Sequence, residues 1–199
     1  MRDAHIIDQA TRPSGFLGRI MGEVMAITNR PRNRWLLQQL DLRPGLAGLE
    51  FGFGNGEILT GFLNTVPSGQ AVGIDWSQSM IDTAATRNKA ALSAGRLRLQ
   101  LGDITDPKLV LNEPFDRIWS SNVIQMVSDR PALFTRLRAR LSENGLLAIC
   151  FQPRGSKAPS PEELAPKCTV ELERAGFSSV ETRWMSGASP AAFCILAKP

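Results

Sequence analysis

Apolar positions along the chain follow two rhythms. Phe16, Leu17, Ile20, Met21, Val24 and Met25 recur every three to four residues, as on one face of a helix. They predict an N-terminal helical arm from about Ser14 to Leu40. Pro31 interrupts it, and a second helical stretch carrying Trp35, Leu36, Leu37 and Leu40 stops at the turn Arg43-Pro44-Gly45. From there short apolar runs alternate with helical periodicity. Strands are predicted at 47–51, 71–74, 97–101, 115–120, 146–151, 179–185 and 191–197, with helices at 57–63, 79–92, 131–141 and 162–175. This alternation predicts an α/β fold with a parallel sheet covered on both faces. Only Ser186-Gly187-Ala188-Ser189-Pro190 separates the last two strands, a connection short enough for an antiparallel pair.

Composition narrows the picture. A chain of 199 residues, 43% of them hydrophobic, buries a core of its own and fits one domain. The 23 basic against 19 acidic residues give a net charge of +4. That charge is spread along the chain without the basic stripe of a nucleic-acid binder. Arg30, Arg32 and Arg34 form the densest cluster and read as the solvated start of a helix. Cys150, Cys168 and Cys194 lack C-x-x-C spacing and read as reduced thiols of a cytoplasmic protein, with no metal site. Met1-Arg2-Asp3-Ala4-His5 carries no signal-peptide pattern, and no apolar run approaches the ~20 residues that span a bilayer. There is no tyrosine and His5 is the single histidine, which excludes a Ser-His-Asp triad in the body of the fold.

The chemistry concentrates after the first strand. Glu50-Phe51-Gly52-Phe53-Gly54-Asn55-Gly56 is a glycine-rich turn between a strand and a helix, where a ligand can approach the backbone closely. The second strand ends on Asp75, near the ~20-residue interval at which an acid meets ribose hydroxyls in nucleotide-binding folds. A dinucleotide fits poorly: Glu57 stands where G-x-G-x-x-G wants its third glycine, and Glu50 would repel a pyrophosphate. With Asp103 ending the third strand, three carboxylates line one sheet edge, which favours a positively charged nucleoside without phosphate.

These residues resemble the class I S-adenosylmethionine-dependent methyltransferases, in motif order and spacing from about Arg43 to the end of the chain. The resemblance implies a Rossmann-like sheet of order 3-2-1-4-5-7-6 with strand 7 antiparallel. It implies that residues 1–43 are an arm or cap and residues 44–199 the cofactor-binding domain. Glu50, Gly52, Gly54 and Gly56 are similar to the first cofactor motif, and Asp75 to the ribose-binding acid. Trp76 and Met80 match positions beside the adenine. Gly102-Asp103-Ile104 resembles the adenine motif, and Asn122 opens the fourth-strand loop that passes the methionyl part. Leu141-Ser142-Glu143-Asn144-Gly145 looks like the turn into strand five, without its usual proline and first glycine. By pattern the chain is nearest the small "type 11" subgroup. That subgroup's fourth-strand loop often reads V-L-H-H, where this chain has Val123-Ile124-Gln125-Met126.

The implied activity is methyl transfer to a small, apolar or aromatic acceptor, with S-adenosylhomocysteine as product. Orientation does most of the work, and His5 and Glu57 are weak candidates for a base. Phe16, Ile20, Met21, Met25, Gln125 and Met126 are expected to wall the acceptor pocket. The arm's apolar stripe also suits a homodimer contact. Methylation of RNA or protein, and a non-catalytic cofactor-binding module, remain as alternatives.

Overall fold

The computed structural model describes residues 29–112, 114–155 and 157–199. His5, Phe16, Ile20, Met21 and Met25 therefore lie outside the described residues. Residues 29–39 are helical (α1). There follow β1 (Ala47–Phe51), α2 (Glu57–Thr65), β2 (Gln70–Asp75), α3 (Gln78–Arg87), α4 (Lys89–Ser93) and β3 (Leu97–Leu101). The second half comprises β4 (Phe115–Ser121), a 3-10 turn (Ile124–Met126), α5 (Arg130–Arg138), β5 (Leu141–Phe151), α6 (Pro161–Arg174), β6 (Ser179–Trp184) and β7 (Phe193–Lys198). The seven strands form one sheet of order β3-β2-β1-β4-β5-β7-β6, with β7 antiparallel to both neighbours, as the sequence pattern and the family resemblance implied.

Alternation along the central strands divides the core in two. Leu49, Phe51, Ile118, Leu147 and Ile149 point to one face, where Leu133, Phe134 and Leu137 of α5 and Leu164, Cys168 and Leu172 of α6 cover them. Trp119, Ala148 and Cys150 point to the other, beneath Leu36 of α1 and the Leu40 that follows it, Leu59 and Phe62 of α2 and Met80 and Ala84 of α3. Central strands buried on both faces read as nearly continuous apolar runs for this reason. Among the described residues no helix is long and apolar enough to cross a membrane.

Tertiary packing shapes the local structure. The interruption expected at Pro31 falls at the edge of the described residues, three positions into the helical stretch 29–39, and the fully buried Leu36 and Leu40 beyond it hold that stretch against the sheet. Buried Arg117 on β4 fastens the end of that helix, donating from Nε to the Leu40 carbonyl and from Nη2 to the Asp41 carbonyl at 2.9 Å. The helix expected over 79–92 is broken at Asn88. Its buried side chain accepts a hydrogen bond from Thr60 Oγ1 at 2.8 Å and donates to the Gly56 and Ala84 carbonyls, stitching α3 to the start of α2. β5 begins at Leu141, because an irregular register against β4 lets the turn residues pair early.

Candidate functional site

Strand order reverses between β1 and β4, and the crevice at the carboxyl ends of such strands is where open α/β sheets bind ligands. A cavity of about 320 Å³ opens there, at the lower end of the range for small-molecule sites. The β1–α2 turn builds its floor. Gly52 has φ +66, and a Cβ on it would lie 2.3 Å from Val123 Cγ2, so β1 and the β4 loop can meet only through glycine. Gly54 has φ +55 with open space where its Cβ would stand, which leaves the backbone bare.

Asp75 locks this turn to the end of β2. Its Oδ2 accepts the Gly54 N–H at 2.9 Å, and its Oδ1 accepts the Ser77 N–H at 3.0 Å. The residue is 6% exposed. Burial raises its carboxyl above the usual range, while the N–H groups of Gly54, Ser77 and Trp76 pull it down. With about four acceptor sites against these three N–H groups, the carboxylate can still accept from a hydroxyl.

Glu50 lines the cavity and is 1% exposed, and its Oε2 is buried without a hydrogen-bond partner. Desolvation pushes its carboxyl well above the carboxylate range. The neighbouring Asp75 and Glu57 add to this, against the pull of the Trp119 indole N–H and the Leu59 N–H. Trp119 Nε1 favours the carboxylate without reaching hydrogen-bond geometry.

The expected cofactor residues Glu50, Gly52, Gly54, Asp75, Trp76, Met80, Gly102, Asp103, Ile104 and Asn122 all line this one cavity, with Glu57 and Met126. Met80 and Ile104 are buried, and Trp76 stands 42% exposed. Asp103 is exposed, and its Oδ1 accepts from the Thr105 N–H and hydroxyl. Asn122 has φ +58, and its Oδ1 accepts the Gln152 N–H at 2.8 Å, pinning the β4 loop to β5. Two expected residues are not on the wall. Gly56 seats α2 against Ala84, and Gln125 turns back to donate from Nε2 to the Asn122 carbonyl at 2.8 Å. Glu57 is engaged, 3.3 Å from Arg30 Nε and accepting from Asn33 Nδ2 at 3.0 Å.

Sequence reasoning missed Arg32. The cluster read as a solvated helix start is split: Arg30 and Arg34 are exposed, but Arg32 is 2% exposed and lines the cavity. It shares a helix face with Leu36 and Leu40, and that four-residue spacing was the signal available. Its Nε donates to Ser121 Oγ at 3.0 Å, while Nη1 is buried without a partner. Burial lowers its pKa to about 10, and nearby Arg154 contributes. Arg154 itself bonds Asn29, which lines the cavity. Among the described residues no group of His, Cys, Asp and Glu is placed to hold a metal ion.

The fold and the cavity define a Rossmann-like protein of the nucleoside-cofactor class. Comparison with known proteins specifies it further. Residues 49–147 match the model of a methyltransferase domain family. Over 182 residues the chain is 29% identical to YdaC of Bacillus subtilis (strain 168), an uncharacterised methyltransferase, covering 90% of this chain and 97% of that one. It is 29% identical over 148 residues to trans-aconitate 2-methyltransferase of Deinococcus radiodurans, covering 74% of this chain but only 53% of that protein. The crystal structure of a SAM-dependent methyltransferase from Aquifex aeolicus superposes with a TM-score of 0.65 at 21% identity, covering 83% of this chain and 88% of that one, and shows the shared fold. Together these matches support a class I S-adenosylmethionine-dependent methyltransferase and imply S-adenosylmethionine as the cofactor.

The residues present fit that group. A buried carboxylate oxygen and a buried guanidinium nitrogen, each without a partner on one cavity wall, complement the ammonium and carboxylate of an amino-acid tail. The bare backbone at Gly54 suits close approach of a ligand.

Proposed function

We propose that the protein methylates a small-molecule acceptor, holding the cofactor through Arg32, Glu50, Asp75 and the 102–104 turn and catalysing by orientation. The observation that carries this reading is the pair of unpartnered buried groups, Glu50 Oε2 and Arg32 Nη1, on the wall that also holds Asp75. Arg32 holds the ligand's carboxylate, Glu50 its ammonium, and Asp75 its ribose hydroxyls. Trp76 and Met80 flank the adenine, with Asp103 and Ile104 on its edge. Bound S-adenosylmethionine supplies a methyl group already activated on a sulfonium. The chain's task is then to fix the approach of the acceptor, and proximity alone is worth roughly 7–11 kcal/mol.

Glu57 makes a poor base because Arg30 and Asn33 already engage it. An acceptor that is a ready nucleophile suits such a site. The exposed side chain of Met126 at the cavity favours an apolar or aromatic body. Trans-aconitate, the small molecule in the name of the Deinococcus radiodurans relative, supports the size class. The reading of residues 1–43 as a cap draws its support from their described part. Arg30, Arg32 and Asn33, at the described end of that segment, already reach the cavity or its rim. The test is incubation with methyl-labelled cofactor and, separately, a small-molecule acceptor panel, total RNA and a protein extract. Label entering small molecules is expected, and label confined to RNA or protein would overturn the reading.

A further inference from the structure

We propose that Glu50 works as a proton-exchanging specificity residue: it carries a proton in the ligand-free protein and gives it up when an ammonium group enters beside Oε2. The inference rests on the cofactor reading above and deepens it.

Glu50 sits one residue before the end of β1, between Gly73 of β2 and Trp119 of β4, on the face covered by α2. Its Oε2 is buried and unpartnered. The ionisable groups bearing on it from the packed elements are Asp75 at the end of β2 and Glu57 at the start of α2, and both are acids. From β4 comes only the neutral Trp119 indole, and from α2 the Leu59 N–H. Arg32 reaches the same cavity from α1, where its Nε donates to Ser121 Oγ.

A bare carboxylate so placed, flanked by two acids and removed from water, is held in its neutral form. An arriving ammonium reverses the balance. It donates to Oε2 and pairs with the negative charge, so the carboxylate form becomes the stable one and the carboxyl proton leaves to solvent. One O–H bond breaks, no covalent bond forms, and the released proton balances the charge brought in. A nucleoside without the amino-acid tail offers nothing in exchange and leaves Glu50 protonated. Glu50 thereby discriminates among adenosine derivatives by charge, and cofactor affinity becomes coupled to pH.

The sign follows from linkage. Ligand binding releases protons, so affinity rises with pH, by at most about tenfold per unit, and levels off once Glu50 is already ionised in the free protein.

The experiment is calorimetry on the full chain between pH 6 and 8, in buffers of different ionisation enthalpy. The probes are S-adenosylhomocysteine and 5′-methylthioadenosine, which lacks the amino-acid tail. Expected are release of up to one proton with S-adenosylhomocysteine, none with methylthioadenosine, and loss of the release in Glu50→Gln. The comparison of the two ligands on the unaltered protein stands even where that variant fails to fold. S-adenosylhomocysteine binding with no proton release, or equal release with both ligands, overturns the exchange and leaves the cofactor reading standing. Absence of S-adenosylhomocysteine binding at every pH overturns both.

Discussion

Replacing Arg32 by methionine separates what this side chain does for the ligand from what it does for the fold. Held charged at a position where burial lowers its pKa to about 10, the guanidinium loses roughly 3 kcal/mol relative to water, at 1.36 kcal/mol per unit. Against this stands one good hydrogen bond, from Nε to Ser121 Oγ at 3.0 Å, worth about 1.5–3 kcal/mol because the donor is charged. The 3.5 Å contact from Nη2 to Asn33 adds little. Arg32→Met keeps the length and apolar stem that lie beside Leu36, so the two effects nearly cancel and the ligand-free protein should unfold within about 1 kcal/mol of the parent. Ligand binding has no such compensation. Loss of a charge-assisted bond to the carboxylate should weaken S-adenosylhomocysteine by about 1.5–3 kcal/mol, or roughly tenfold to 150-fold. Urea unfolding of the free protein and calorimetric titration together read the two quantities. Unchanged affinity would refute the assignment of Arg32 to the ligand. A large stability loss with proportionate weakening would reduce Arg32 to a structural residue.

Four further outcomes are expected. Asp75→Ala should weaken S-adenosylhomocysteine by about 1–3 kcal/mol, and calorimetry showing unchanged affinity would remove Asp75 from the ribose role. Gly52→Ala forces a left-handed residue costing about 1–2 kcal/mol and drives Cβ into Val123; adding Val123→Ala should recover the steric part in urea unfolding, and no recovery would refute the contact. Glu57→Gln should lower turnover less than about tenfold once an acceptor is known, since a working general base is worth about 10²–10⁴. A larger loss with cofactor affinity intact would restore Glu57 as the base. Because the folded protein holds the protons of Glu50 and Asp75 more tightly than the unfolded chain does, stability should fall as pH rises from about 4 towards neutrality, by up to about 1.4 kcal/mol per unit for each group. Thermal unfolding of Glu50→Gln across that range should show a shallower slope.

Much of this molecule was legible in one dimension. Strand and helix positions follow from periodicity, because a strand buried on both faces must be apolar almost throughout, as Leu146 to Phe151 is. The glycine turn and the carboxylates ending β1 and β2 were legible for a similar reason: backbone geometry and strand-end position are local properties. The break at Asn88 was not, because that asparagine answers to Thr60 and Gly56, residues 28 and 32 positions away. Nor was the turning away of Gln125, which follows from the left-handed Asn122 beside it.

The sequence by itself therefore determined the order of elements, the edge of the sheet where chemistry gathers and the residue types found there. Only the tertiary structure decided the state of each charge. Glu50 and Asp75 are carboxylates of one edge, yet one has an unpartnered oxygen and the other anchors two backbone amides. Arg32 and its neighbours Arg30 and Arg34 are alike in sequence, yet Arg32 alone turns inward to the cavity. Desolvation and hydrogen bonding are sums over neighbours distant in the chain, and they are fixed only when the chain has folded.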